Sequence, residues 1–468
     1  MNSSEASVAG VVGRGTAWMA ATTVVLKGVG FLSIFLILNH LTVFEYGVAE
    51  LILTAVPLLS FFLLPGLGAT VVADMSRERG LGNVAAMKGL LVSYVRLQYV
   101  FAVVAWALVF FGAQALAIWY GKGSTVMFFQ IISFLFLLSP IRATVQTVQS
   151  VFLQFRQQSL YTFLEETWKL VFLGIFFFAL NLRIEGLLLA IVLSQACALI
   201  SMAYPVYKID PSFWRTIGDR FPFVHFLRHH GKWGVFSNYV GTFGRNIRPW
   251  IITYFLGPSA VGIYAVAQGL IGHTISLVPL DSVIKPFLAR YVHERERFYA
   301  LVAKAAKYQL LGYATVSIAA AIGVPFLIDW FFPQYIESVP LYQITLIMLI
   351  SSAFDSIFTG AFFALQAQRS YFWASVYKLV LVLLLMPPLI YFFGLYGIAY
   401  ANIISNSLFV WERYLRLKRL MPGFSLRVRD FFTVDETDRM ILNRIRNAAS
   451  NAPVLGFLFK YSANAATK

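Results

Sequence analysis

Charge is scarce in this sequence. Only 12% of its 468 residues are Asp, Glu, Lys or Arg, about half the share found in soluble domains, which excludes a water-facing surface over most of the chain. Acid is scarcer than base, 21 residues against 37. Cys197 is the only cysteine, so no intramolecular disulfide can form, and in its apolar segment it reads as a small packing residue. No G-x-x-x-x-G-K-[ST] loop occurs, which excludes a nucleotide-driven pump of that type, and the sequence asks for no cofactor. Met1 to Gly13 is short and polar and leads into continuously apolar chain, so no cleavable leader is expected.

What the chain has instead is apolar length. Hydrophobic residues make up 59%, and stretches such as Gly89 to Gly112, Leu187 to Val206 and Leu379 to Phe393 with their flanks can cross a hydrocarbon layer ~30 Å thick. Lipid cannot satisfy free backbone groups, so these stretches are expected to be helices. A β-barrel would alternate polar and apolar residues, whereas Val171 to Leu180 is apolar on every side. The expected fold is therefore an all-α integral membrane protein of about 12 transmembrane helices. Its spans fall at 15–39, 46–73, 88–112, 125–152, 160–181, 186–207, 233–256, 259–285, 305–329, 339–365, 371–393 and 395–416.

Basic residues orient these spans. Most of the 37 lie on one side, in the even-numbered connections and the tail, while the opposite loops hold only Lys122 and Arg183. Both termini are expected to be cytoplasmic. The formal charge of +16 is accounted for by this bias and by contact with anionic lipids, and it calls for no nucleic acid.

The chain also repeats itself. Leu41 with Gly47 recurs as Leu256 with Gly262, Arg77-Glu78-Arg79 as Arg295-Glu296-Arg297, Lys169-Leu170-Val171 as Lys378-Leu379-Val380, and Gly186, Ala190, Ser194 as Gly397, Ala401, Ser405. Four matches in one order at nearly one offset imply duplication of a six-helix unit. An even number of spans makes the repeats parallel, with a substrate site expected between two bundles. The bundles are expected at 1–207 and 233–418, joined by a cytoplasmic interfacial connection at 208–232 and followed by a basic tail at 419–468.

The Leu-x5-Gly turn in each half, with Gly257-Pro-Ser-Ala-Val-Gly-Ile-Tyr-Ala-Val-Ala267 and Pro286-Phe-Leu-Ala-Arg-Tyr291, resembles polysaccharide flippases of the O-antigen type. These belong to the multidrug/oligosaccharidyl-lipid/polysaccharide exporter superfamily, and the likeness spans roughly residues 11 to 420. It implies alternating access by two bundles and outward carriage of an undecaprenyl-pyrophosphate oligosaccharide across a bacterial inner membrane. With no nucleotide loop, an ion gradient, proton or sodium, or substrate asymmetry is the expected drive, and a polysaccharide polymerase or glycosyltransferases are the expected partners.

Charges inside the spans nominate the site, because an ionisable group at membrane depth faces a cavity or a partner. Lys27, Arg142 and Arg245 sit at similar depth in spans 1, 4 and 7, with Arg248 one turn beyond Arg245. Ser139, Arg142, Gln146 and Gln149 share one helical face, as do Asn238, Thr242, Arg245 and Arg248. None of these arginines has an acid at helical spacing in its own span, so they are expected to be free to bind substrate. A pyrophosphate suits them, because guanidinium forks grip planar oxygen arrays bidentately. Lys169 is explained instead by Glu165 and Glu166, and Lys285 by Asp281. Asp355, on a stripe with Ser351, Ser352 and Thr359, is the candidate for ion coupling.

His225, His229 and His230 lie among aromatics between the halves and read as a membrane-surface helix rather than a metal site. Thr433 to Glu436 reads as a capping box opening a docking helix. A drug or cation antiporter of the same superfamily would need acids around its substrate. A sugar polymerase or glycosyltransferase would need a sizeable outward loop bearing carboxylates, where only Asp329 and Glu337 stand isolated.

Overall fold

The computed structural model describes residues 25–59, 67–119, 125–219, 232–278, 280, 284, 288, 291–365 and 367–426. Lys285, Asp281, the three histidines and the tail's capping box lie outside them.

No strand occurs among the described residues. Sixteen α-helices follow one another among the described residues. The first eight are α1 Val25–His40, α2 Val43–Leu59, α3 Leu67–Gly80, α4 Val84–Trp119, α5 Val126–Val151, α6 Phe155–Gly174, α7 Ile184–Ile209 and α8 Pro211–Arg215. The rest are α9 Lys232–Asn246, α10 Arg248–Leu256, α11 Pro258–Ser276, α12 Arg295–Phe331, α13 Ser338–Leu346, α14 Met348–Ala364, α15 Gln368–Phe393 and α16 Leu395–Leu420. A single π-turn, Ile175–Ala179, ends α6.

Five helices, α4, α5, α7, α12 and α15, are long and apolar enough to cross a membrane. The pair α13 and α14, bent by 51°, makes a sixth if it is one span. Among the described residues length and apolarity thus return fewer spans than twelve, and two of the expected spans show a physical reason. The expected seventh span is broken at Ile247 between α9 and α10, where Pro249 has no N–H to continue the ladder. The fifth carries Glu165, Glu166 and Lys169 inside α6.

The buried apolar residues among the described ones form four clusters. One is built from residues between Leu67 and Phe213, two from residues between Ile252 and Phe424. A fourth joins both parts, with Leu41, Tyr46 and Phe136 beside Val266, Phe332 and Tyr335. Polar contacts tie the same end together. Gln334 Nε2 donates to the Leu38 carbonyl at 2.5 Å, Tyr335 Oη to that of Leu41 at 3.2 Å, and Trp250 Nε1 to Thr54 Oγ1 at 3.1 Å.

The repeat has a structural counterpart in its glycines. A Cβ on Gly47 would lie 1.9 Å from the Pro258 carbonyl oxygen and 2.9 Å from Gly262 N, and one on Gly262 would lie 2.2 Å from the Val43 oxygen. The two matched glycines therefore meet where α2 crosses α11. Gly186 and Gly397 each sit where a helix doubles back on its predecessor, facing Phe176 and the Leu389 carbonyl respectively. The basic triplets differ. Arg79 ends α3, donating to the Val151 carbonyl at 2.6 Å, whereas Arg295 to Arg297 opens α12.

The chain between the halves is docked at its start. Asp210 caps α8 by accepting from Phe213 N at 3.0 Å, and Lys88 of α4 lies 4.5 Å over the Trp214 ring. Gly89 packs against Asp219 so closely that a Cβ would lie 2.2 Å from its carbonyl oxygen.

Candidate functional site

A polar cavity of about 280 Å³ opens inside the C-terminal half, walled by α9, α10, α14, α15 and α16. Among the described residues its basic side chains are Arg245, Arg248, Lys378 and Arg413, and Asp355 is the one acid on its wall. The local sequence explains why the cavity is open. Gly241 and Gly244 thin the α9 wall beside Val240 and Arg245, and Ser352, Ser375 and Ser405 keep the other walls small.

Asp355 is the hub. Its carboxylate accepts from Arg413 Nη1, and its other oxygen lies 3.8 Å from Lys378 Nζ. Arg413 Nη1 also donates to Thr359 Oγ1 at 2.8 Å. Lys378 donates to Asn406 Oδ1 at 2.8 Å, and Asn406 Nδ2 donates to Ser351 and Ser352 at 2.7 and 3.2 Å. Three helices are laced together by this network. Asp355 has no basic residue on its own helix, and its partners Lys378 and Arg413 come from the two neighbouring helices, α15 and α16.

Two of the four nominated cations line this cavity, Arg245 and Arg248; Lys27 and Arg142 do not. Arg245 donates to Thr242 Oγ1 at 3.2 Å and is exposed. Lys27 is exposed on α1 and donates to Ser276 Oγ of α11 at 3.1 Å, a contact between the two parts of the chain. Arg142 is paired, contrary to the sequence reading. Its Nη2 lies 3.1 Å from Glu165 Oε2 on α6, and Lys169 takes Glu166 at 2.5 Å. Arg142 keeps 39% of its side chain exposed.

Arg413 and Asn402 were missed by sequence reading. Arg413 lies near the end of the last expected span, 395–416, close to the basic tail. The signal that finds it is the stripe Asn402, Asn406, Phe409, Arg413 at helical spacing on α16. Among the described residues no cluster of His, Cys, Asp and Glu could hold a metal ion.

This fold is that of multi-pass membrane transporters. It is similar to an inward-facing multidrug resistance MATE family transporter of the MOP superfamily, with 14% identity, a TM-score of 0.71, and coverage of 85% of this chain and 96% of that one. An outward-facing MATE structure gives 15% identity and 0.63, covering 88% and 96%. A Pyrococcus furiosus MOP superfamily transporter, described as having a binding pocket of reverse polarity, gives 15% and 0.58, covering 85% and 96%. No curated protein matches significantly. Residues 12–292 match the polysaccharide biosynthesis protein family, and the chain belongs to that family.

Proposed function

We propose that this protein is a flippase for a lipid-linked oligosaccharide, carrying an undecaprenyl-pyrophosphate sugar outwards across a bacterial inner membrane for surface polysaccharide synthesis. The observation that carries the reading is the cavity in which Arg245, Arg248, Lys378 and Arg413 face a single carboxylate. Four cations at membrane depth are costly unless an anion or water receives them, and a pyrophosphate supplies anionic charge in the planar arrays that guanidinium groups match. Family membership supports the substrate class.

In this reading the chain forms twelve spans in two six-helix bundles with both termini cytoplasmic. Lys27, Arg142, Arg245 and Arg248 all meet the headgroup during the cycle, Arg142 after parting from Glu165. Any ion coupling through Asp355 requires that it first leave Arg413 and Lys378. The polymerase or glycosyltransferases of the same assembly line are its partners.

The structural neighbours include multidrug transporters, so the rival cargo is a cationic drug. Vesicles carrying the purified protein decide between them. Outward translocation of a lipid-linked oligosaccharide without export of a cationic dye is the expected result. Dye export without lipid translocation overturns the proposal.

A further inference from the structure

Arg413 is 1% exposed, yet its Nε and Nη2 have no hydrogen-bond acceptor. Nη1 takes every polar partner: the Asp355 carboxylate, the Asp355 carbonyl oxygen at 3.2 Å and Thr359 Oγ1 at 2.8 Å. Aromatic rings crowd the guanidinium, with Tyr371 and Phe409 centroids 4.7 and 4.6 Å away. Arg248 Nε and Asn402 Nδ2 are buried donors without acceptors as well. All three residues line the same cavity. Buried donors are costly to leave unmatched, and a wall of them fits a ligand made of acceptors.

The Asp355 carboxylate meets this wall incompletely. It engages one nitrogen of Arg413, leaving unused the Nε and Nη2 edge that grips a planar oxygen array in two bonds. Its contact with Lys378 is long, 3.8 Å, while the ammonium makes its short bond to Asn406.

We infer that Arg413, Lys378 and Asn402 form a diphosphate-binding subsite, and that Asp355 is its internal stand-in, holding the two cations until the ligand's oxygens displace it. The inference rests on the reading of this cavity as a headgroup site. It adds Asn402 to that reading, singles out Arg413 and Lys378 as the groups that grip the ligand, and gives Asp355 a role opposed to ligand binding. Removing the carboxylate should therefore tighten binding, whereas a carboxylate that merely orients Arg413 would be missed by the ligand.

The test is equilibrium binding of radiolabelled methylenediphosphonate to the detergent-solubilised full chain, with unlabelled polyprenyl diphosphate as competitor. Asp355→Asn should bind about tenfold tighter than wild type and Lys378→Gln about tenfold weaker, the scale of one charge-assisted contact. The double variant D355N/K378Q keeps the net charge of the cavity and so protects folding. It should bind at least as tightly as wild type despite losing a lysine. Competition by the polyprenyl compound assigns the site to a lipid carrier, and its failure to compete assigns the site to a free diphosphate. Weaker binding by both D355N and the double variant overturns the stand-in role while leaving the headgroup reading intact. Absence of diphosphonate binding by wild type and every variant removes the headgroup reading itself.

Discussion

Arg142 and Glu165 stand 23 residues apart on α5 and α6 and form an ion pair at 3.1 Å, and Asp355 and Lys378, with the same separation on α14 and α15, repeat it with the charges exchanged. The helices involved correspond in the two halves, since the Lys-Leu-Val matches lie on α6 and α15. The joint between the two helices thus recurs with its polarity reversed.

The N-terminal pair separates by mutation into structure and transport. Arg142 is 39% exposed, so a double-mutant cycle for Arg142→Gln and Glu165→Gln should give a coupling of only about 0.5 to 1 kcal/mol in stability. Transport should respond differently to each. Arg142→Gln should slow lipid translocation severalfold, while Glu165→Gln, which frees the guanidinium, should leave it at or above wild type. Equal losses in both would make the pair purely structural.

Substitutions at Arg245 test guanidinium geometry. Arg245→Lys keeps the charge but loses the fork, so it should impair translocation partially, and Arg245→Ala should impair it by about tenfold or more. Arg248 should behave alike. Vesicles matched for folded protein provide the comparison, and full activity in an Arg245→Ala, Arg248→Ala double variant would exclude both residues from the substrate path.

Acid should weaken the end at which the two parts of the chain meet. Burial pushes the Glu45 carboxyl upward, but hydrogen bonds from Thr42 N and Oγ1 at 2.9 and 2.8 Å and the ion pair with Arg183 hold it below its ordinary value. A lowered carboxylate contributes stability above its unfolded pKa of about 4.3 and loses it as pH falls through the folded value. Wild type should therefore unfold at a higher temperature than Glu45→Gln near neutrality, with the gap closing below about pH 4. A gap unchanged across that range would remove Glu45 from the acid response.

Orientation is tested by reporters fused after Lys122, Arg183 and Glu337, expected outside, and after Asp219, Arg297 and Lys468, expected inside. One inversion in this set would break the twelve-span topology and the parallel repeat.

Much of the helical order was legible because lipid-facing helices write their length directly into apolar runs, as α4 and α7 do. The repeat was legible in glycines, since only a residue without Cβ allows the approach at Gly47 and Gly262. What stayed hidden was pairing between helices. Helical spacing reveals partners three or four residues apart, so Lys169 was matched to its own helix correctly, but Arg142 with Glu165 and Asp355 with Arg413 leave no periodic trace. Arg413 was obscured further by lying beside Arg416, Lys418 and Arg419, which look like a membrane-edge cluster.

Alanine at Gly47 or Gly262 should force α2 and α11 apart, at a cost of about 1 to 3 kcal/mol typical of overpacking. The apparent unfolding midpoint should fall, and a thiol at position 335, where Tyr335 is fully buried, should become reactive. Unchanged labelling in a folded Gly47→Ala variant would mean that the crossing yields elsewhere.

The same crossing bears on descent. If the two halves were once separate copies of one six-helix chain, the contact between Gly47 and Gly262 was then a residue touching its own duplicate across a twofold axis, an isologous contact. Every mutation at that position would have struck both sides at once, doubling its steric penalty. Fusion halved that constraint by letting each side vary alone, yet glycine persists on both. The closeness of α2 and α11 is therefore maintained by each backbone for the other, and an alanine tolerated on one side should make alanine on the other no easier.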